Sequence, residues 1–152
     1  QIREISRRVK LAQVSVINHL KKLMKEELIL KEDKGIYPSY RANRDNEEFK
    51  LLKKHNLMFR IQKSKLILLI DDKVKPDCIV LFGSAARGED TEMSDIDLFI
   101  QAGETELDLG KYEKMLNRKI NLFFEPEIKK LSNELSNNII NGEIIYGYLK
   151  VL

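Results

Sequence analysis

The 152-residue sequence contains one cysteine, three prolines, two histidines and no tryptophan. The single cysteine, Cys78, excludes an internal disulfide, and its place at the start of an apolar run predicts core packing. The one long apolar run, residues 66–70, is far shorter than the roughly 20 residues of a membrane-spanning helix. The chain begins at Gln1 without a signal-peptide pattern, so we expect a cytoplasmic protein with no membrane partner, lacking part of its natural N-terminus.

Charge is divided unevenly along the chain. Residues 1–65 hold 17 Lys and Arg against 8 Asp and Glu, whereas residues 66–152 hold 10 against 16. A basic half beside an acidic half predicts two modules with different partners. Net basicity alone more often reflects a solvated face than a nucleic-acid site, so the residue pattern within the basic half has to decide.

The apolar run at residues 79–82 ends abruptly at Gly83-Ser84. An order of buried strand, glycine turn and helix start is typical of phosphate-binding sites. Glycine lets the backbone approach a ligand closely, and the helix N–H groups with the Ser84 hydroxyl can face phosphate oxygens. The alternative is a turn with no ligand.

Ten residues separate Ser84 from a pair of acids that are themselves separated by one residue. On a strand, residues i and i+2 share a face, so Asp95 and Asp97 project together while Ile96 points into the core. Adjacent carboxylates repel each other unless a positive charge lies between them, and a divalent cation is the usual solution. We therefore predict a metal site here, against the alternative of a solvated strand end.

The string G-S-x10-D-x-D, with Arg87-Gly88 placed as in GSxARG, resembles the signature of the minimal nucleotidyltransferases. These are small members of the DNA polymerase β superfamily, and the resemblance covers about residues 73–152. It implies a nucleoside triphosphate, with ATP expected, and Mg²⁺ or Mn²⁺. The implied residues are Gly83, Ser84 and Arg87 for the nucleotide and Asp95 and Asp97 for the metal.

Asn121 departs from this resemblance. Active members usually carry a third acid on the corresponding strand, which helps to hold the metal and activates the attacking hydroxyl. An amide can offer its oxygen to a metal, but it brings no negative charge and cannot accept a proton. Glu125 lies roughly 13 Å further along at strand rise, so it could replace the acid only if the strand bent. Asn121 is a candidate catalytic residue, and whether the chain is an active enzyme stays open.

The basic half predicts two short helices followed by a hairpin. Apolar residues of 2–9 recur at helical spacing, and those of 16–23 do so again after a break at Lys10-Leu11. The residues around the turn at 33–35 are typical of two strands, with Pro38 placing the return strand at an edge.

This order of elements resembles a winged helix-turn-helix, although the helix that usually comes first in that family would lie before residue 1. The resemblance implies that the second helix enters the major groove of duplex DNA and that the hairpin touches the flanking backbone. A protein-contact module is the alternative. The implied base-facing residues are Gln13, Val14, Ser15 and Asn18, and the implied phosphate-facing residues are Lys21, Lys22, Lys25 and Lys34.

The rest of the chain predicts an α+β fold. A D-x-x-E pattern at Asp45 opens a helical connector, broken near residues 62–64, whose surplus apolar face could form a homodimer. Residues 104–117 predict a helix, residues 119–124 a strand, and Pro126 the start of a helix that runs to about residue 141. The predicted division is a winged helix-turn-helix over residues 1–44, the connector over 45–72, and a polymerase β-type nucleotidyltransferase domain, with a mixed sheet flanked by helices, over 73–152.

Two functions fit these patterns. The first is a nucleotidyltransferase that binds NTP-Mg²⁺ and transfers a nucleoside monophosphate to a protein or RNA hydroxyl. Resemblance to the nucleotidyltransferase antitoxins, which modify a HEPN partner toxin, favours a protein hydroxyl. The second is a weakly active or inactive DNA-binding regulator or antitoxin that uses the same domain to sense nucleotide or to bind a partner.

Overall fold

A computed structural model describes all 152 residues, which form two compact units, residues 1–50 and 51–152. The first unit has the predicted order of two helices and a two-stranded antiparallel hairpin. The first helix ends at Lys10, whose left-handed backbone (φ 56°) makes the break that the sequence predicts. No helix in either unit is long and apolar enough to cross a membrane. The elements are α1 (Ile2–Val9), α2 (Gln13–Lys25), β1 (Ile29–Glu32) and β2 (Ser39–Ala42).

The second unit is an α+β fold around a four-stranded mixed sheet of order β5-β4-β3-β6. Strand β3 is antiparallel to both β4 and β6, and β4 is parallel to β5. The helix α3 begins in the first unit and continues into the second. The elements are α3 (Glu47–Ser64), α4 (Leu66–Val74), β3 (Cys78–Phe82), β4 (Ile96–Ile100), α5 (Gly110–Leu116), β5 (Ile120–Phe124), α6 (Asn133–Ile140) and β6 (Glu143–Gly147).

The sheet has a hydrophobic core on each face. Because side chains alternate along a strand, Ile79 and Leu81 join one core while Val80 and Phe82 join the other. The first core also contains residues of α3, α4 and α5, and the second contains Ile128 and residues of α6. This packing on both sides makes β3 buried at all five positions.

Much of the predicted connector belongs to the core of the second unit. Leu57 and Ile61 of α3 and Leu66 of α4 are buried in the larger cluster with the sheet. The predicted break is confirmed, since α3 ends at Ser64 and Lys65 has a left-handed backbone (φ 69°). The predicted cap at Asp45 is wrong by one residue, because the Asn46 side chain accepts the Phe49 N–H at 2.9 Å.

The C-terminal helices are shorter than predicted. Instead of one helix from Pro126, a 3-10 turn (Ile128–Lys130) comes first, and α6 starts only after Ser132. The Ser132 hydroxyl accepts the Leu135 N–H, so it caps a new helix rather than extending an old one. The predicted helix 104–117 is reduced to α5, and the chain after α6 adds an edge strand, β6, that the sequence did not predict.

Cys78 is fully buried at the start of β3, as expected from its place in an apolar run. Burial, assisted by the negative charge of Asp77, raises the pKa of the thiol to about 11. A thiol with this pKa stays protonated near neutral pH, so Cys78 is a packing residue and not a nucleophile.

Candidate active site

Gly83 makes the turn that ends β3. Its φ of 75° is left-handed, and a Cβ added there would lie 3.0 Å from Asp97 Oδ2. Only glycine combines this backbone with so close an approach to a carboxylate. The predicted helix after the turn is a single 3-10 turn, Ala85–Arg87, which ends at the left-handed Gly88. Ser84 lies between Gly83 and this turn, and its carbonyl accepts the Arg87 and Glu89 N–H groups.

We expect Gly83→Ala to lower the free energy of unfolding by about 1–2 kcal/mol, the usual cost of a left-handed backbone for an L-residue. Gly103→Ala is the matched control, because a Cβ at Gly103 meets nothing within 4 Å and its φ is not in the left-handed range. Urea unfolding of both variants measures the difference. Equal midpoints for the two variants would contradict a strained close approach at Gly83.

Asp95, Asp97 and Asn121 converge beside this turn. Strands β4 and β5 run parallel with Asp97 opposite Asn121, so both side chains leave the same face of the sheet. The Asn121 Nδ2 atom lies 3.1 Å from Asp95 Oδ2 and 2.9 Å from Asp97 Oδ1. The amide therefore donates to both carboxylates and offsets part of their mutual repulsion. The structure thus brings the acid pair together with a residue more than 20 positions further along the chain.

This oxygen-rich set suits one hard divalent cation. Two carboxylates aim at one point, and a half-turn of the Asn121 amide would bring its oxygen where the NH₂ group lies. The chain contains no group of three or more His, Cys, Asp and Glu side chains that could hold a metal by itself. A cation here would therefore take its remaining ligands from water or from phosphate oxygens, as Mg²⁺ usually does.

Arg87 and Glu125 each contact a residue close by in the chain. The Arg87 Nε donates to Glu89 Oε2 at 2.8 Å, and both side chains are about half exposed, so the guanidinium rests on an acid of its own loop. Glu125 follows β5, which stays in register with β4 through Phe124 without a bend. Its carboxylate accepts the Glu127 N–H instead. Glu125 is therefore not positioned to replace the missing acid.

A buried ion-pair network behind the site was missed by the sequence reasoning. Arg118 and Asp90 are both more than 90% buried, and Arg118 Nη1 lies 2.6 Å from Asp90 Oδ2. Lys53 of α3 lies 3.1 Å from the other carboxylate oxygen of Asp90. In the sequence, Asp90 is one of three acids in the loop between the turn and Asp95, and nothing there indicates its partners.

An aromatic pair adjoins the acids. Phe82 and Phe123 meet edge to face, with ring centroids 5.3 Å apart. Phe82 is buried next to Gly83, whereas Phe123, two residues beyond Asn121 on the same face of β5, is 40% exposed. An apolar surface thus lies beside the carboxylates at the edge of the sheet.

Comparison with known families identifies the family of the second half of the chain. The model of the family described as polymerase beta, nucleotidyltransferase matches residues 64–149, more than half of the chain. The chain belongs to this polymerase beta nucleotidyltransferase family. The match contains the Gly83 turn, the acid pair and Asn121, and members of the family typically use a nucleoside triphosphate and a divalent metal.

Two known proteins are similar to this polymerase beta nucleotidyltransferase chain. One, provisionally named a protein adenylyltransferase, is from Methanocaldococcus jannaschii and is 38% identical over 94 residues, or 57% of this chain and 89% of that protein. The other is a crystal structure of a toxin-antitoxin with AMP-PNP, at 26% identity and a TM-score of 0.44, covering 57% of this chain and 73% of that chain.

Proposed function

We propose that the second unit binds a nucleoside triphosphate with a divalent cation and transfers its nucleoside monophosphate slowly to a hydroxyl of a partner protein. The observation that carries the proposal is the convergence of two carboxylates and the Asn121 amide beside the glycine turn. Family membership supports the reaction class. The adenylyltransferase relative supports ATP as the nucleotide and a protein as the acceptor.

Each residue has a definite task in this proposal. The backbone after Gly83 and the Ser84 hydroxyl would bind the triphosphate, and Arg87 would exchange Glu89 for a phosphate oxygen. Asp95 and Asp97 would hold Mg²⁺, which when bound neutralises charge on the phosphates. The acceptor oxygen would bond to the α-phosphorus as the bond to the β-phosphate oxygen breaks, and pyrophosphate would leave.

Asn121 makes the proposed transfer slow. In this reaction the acceptor hydroxyl loses a proton, and general-base assistance is usually worth about 10²–10⁴-fold in rate. An amide cannot accept that proton. The proton would pass to solvent without help from β5, so we propose a protein that binds nucleotide well and turns it over poorly.

Calorimetry with ATP tests the binding step directly. We expect saturable binding in Mg²⁺ that is lost when EDTA replaces the metal, because the phosphates and the acid pair repel each other without a cation. GTP and CTP in parallel test the preference for adenine. Binding of equal strength in Mg²⁺ and in EDTA would overturn the proposed metal site.

For the first unit we propose that α2 and the β1–β2 hairpin bind duplex DNA. The exposed face of α2 supports this: Val14 is 70% exposed, and Asn18 and Lys21 lie on the same side, one and two helical turns further. Residues 1–50 hold 12 Lys and Arg against 8 Asp and Glu, a net charge that attracts phosphates. The alternative is that this face binds a protein.

Lys21→Glu with Lys22→Glu should weaken DNA binding on the order of tenfold or more at every sequence, with a shallower salt dependence, because phosphate contacts are independent of sequence. Lys111→Glu with Lys129→Glu is the control, since it makes the same charge change on exposed positions of the second unit. Asn18→Ala should instead alter sequence preference. Fluorescence anisotropy with labelled duplexes over a salt series measures the DNA affinity of all three variants. If the parent protein binds no duplex at low salt, the first unit is a protein-contact module.

A further inference from the structure

Arg118 contacts the loop that leads into the acid pair at three points. Its Nη1 lies 2.6 Å from Asp90 Oδ2, its Nε donates to the Ser94 carbonyl at 2.8 Å, and its Nη2 donates to the Asp95 carbonyl at 3.3 Å. The last two contacts hold the backbone at Ser94 and at Asp95, the first acid of the pair. The planar guanidinium has donors for all three at once, which a lysine ammonium on a flexible stem does not match.

The same arginine lies at the start of β5. It precedes Ile120 by two residues and Asn121 by three. Beside it, the Ile96 N–H donates to the Lys119 carbonyl at 2.8 Å, which joins the beginnings of β4 and β5. Arg118 therefore ties the segment that supplies Asp95 to the segment that supplies Asn121.

Asp90 holds the other end of the loop. Its carboxylate is almost fully buried and is shared between Arg118 and Lys53, and the Lys53 ammonium also donates to the Asp90 backbone carbonyl. Breaking a buried pair leaves the remaining charge unpaired, so each member is needed to keep the others in place. The loop is thus fixed from α3 on one side and from β5 on the other.

We infer that Arg118 is a positioning residue, which with Asp90 and Lys53 sets the separation of Asp95 and Asp97 from Asn121. Arg118 would touch neither nucleotide nor acceptor. This inference concerns the geometry of the side chains, so it can be decided on the protein without ligand, whatever the outcome for nucleotide transfer.

Arg118→Lys and Asp90→Asn separate positioning from charge. Arg118→Lys keeps the cation beside Asp90 but cannot also hold two carbonyls, and Asp90→Asn keeps the shape but removes the charge. Tyr146→Phe is the control, because it removes one half-buried hydrogen bond, to Asp71 at 2.6 Å, from the same sheet. Urea unfolding of each variant identifies the conditions under which it stays folded.

Two NMR measurements on the ligand-free protein decide the inference. We expect both test variants to shift the Asn121 side-chain NH₂ resonances and to speed amide exchange over residues 90–96 by at least about tenfold, the smallest loss expected for a hydrogen bond to a charged group. Tyr146→Phe should change neither. Unchanged Asn121 resonances in both test variants would overturn the inference.

Calorimetry with ATP and Mg²⁺ on the same variants tests whether the positioning by Arg118 affects nucleotide binding. If the parent binds, both test variants should bind at least about tenfold more weakly, and Arg118→Lys should not restore affinity through its charge. Parent-like affinity in a variant with shifted Asn121 resonances would overturn the role in the site. If the parent does not bind, the proposed function fails, while the ligand-free spectra still decide the role of Arg118.

Discussion

Replacing Asp95 and Asp97 together with alanine is expected to abolish Mg²⁺-dependent ATP binding in a protein that stays folded. The two carboxylates supply all of the negative charge that converges at the Asn121 amide. Removing a residue that only hydrogen-bonds to a metal ligand typically weakens metal binding by about 10–100-fold. Removing both carboxylates that contact the metal should therefore weaken Mg²⁺-dependent ATP binding by more than about 100-fold. Calorimetry in Mg²⁺ and in EDTA measures the change.

The control for this double variant is Asp71→Ala with Asp72→Ala. It removes two adjacent carboxylates from the same unit but from α4, outside the site. We expect near-parental ATP binding from the control, even though it loses the Asp71 contact with Tyr146. If the Asp95 and Asp97 variant binds ATP as the parent does, the metal site has been assigned to the wrong residues.

Asn121→Asp is expected to raise the rate of nucleotide transfer by about 10²–10⁴-fold if the rest of the site is intact. The new carboxylate would lie opposite Asp97, where it can accept the proton of an acceptor hydroxyl and add charge beside the cation. The assay follows label from α-labelled ATP into a partner protein or RNA. Asn117→Asp, at an exposed position four residues earlier, controls for the added charge.

The same substitution should change stability in a way that depends on metal. Without a cation, Asn121→Asp replaces two hydrogen bonds by a third carboxylate, so repulsion should lower the free energy of unfolding, and Mg²⁺ should restore it. Fast transfer by the unaltered protein would instead point to a base supplied by the acceptor. If Asn121→Asp transfers no faster than background, the unit is best treated as a binding module.

The parts of the site that were predicted from sequence depend on short-range geometry. Gly83 stands out because a glycine interrupts an apolar run, and Asp95 and Asp97 share a face because strands alternate with a period of two. The neighbouring position of Asn121 came from a family resemblance, and the parallel register of β4 and β5 agrees with it. These inferences need only neighbouring residues or one strand pairing.

The missed features depend on contacts between distant segments. Asp90 is 28 residues from Arg118 and 37 from Lys53, and no periodic pattern links them. The strand β6 was missed because its residues, EIIYG, do not alternate between apolar and polar, and they form a strand by pairing with β3. The final helix was placed too early because Pro126 is an equally good signal for a turn, and Ser132 is the cap that starts α6.

The position of β5 in the sheet has a consequence for molecular recognition. This strand is paired only on its β4 side, and its Asn121 and partly exposed Phe123 project from the same face of the sheet as Asp97. An edge strand presents unpaired backbone groups and can be approached from the side. A macromolecule could therefore reach the carboxylates without passing through a tunnel, and discrimination among acceptors would depend on the complementarity of two surfaces rather than on the size of an enclosed chamber.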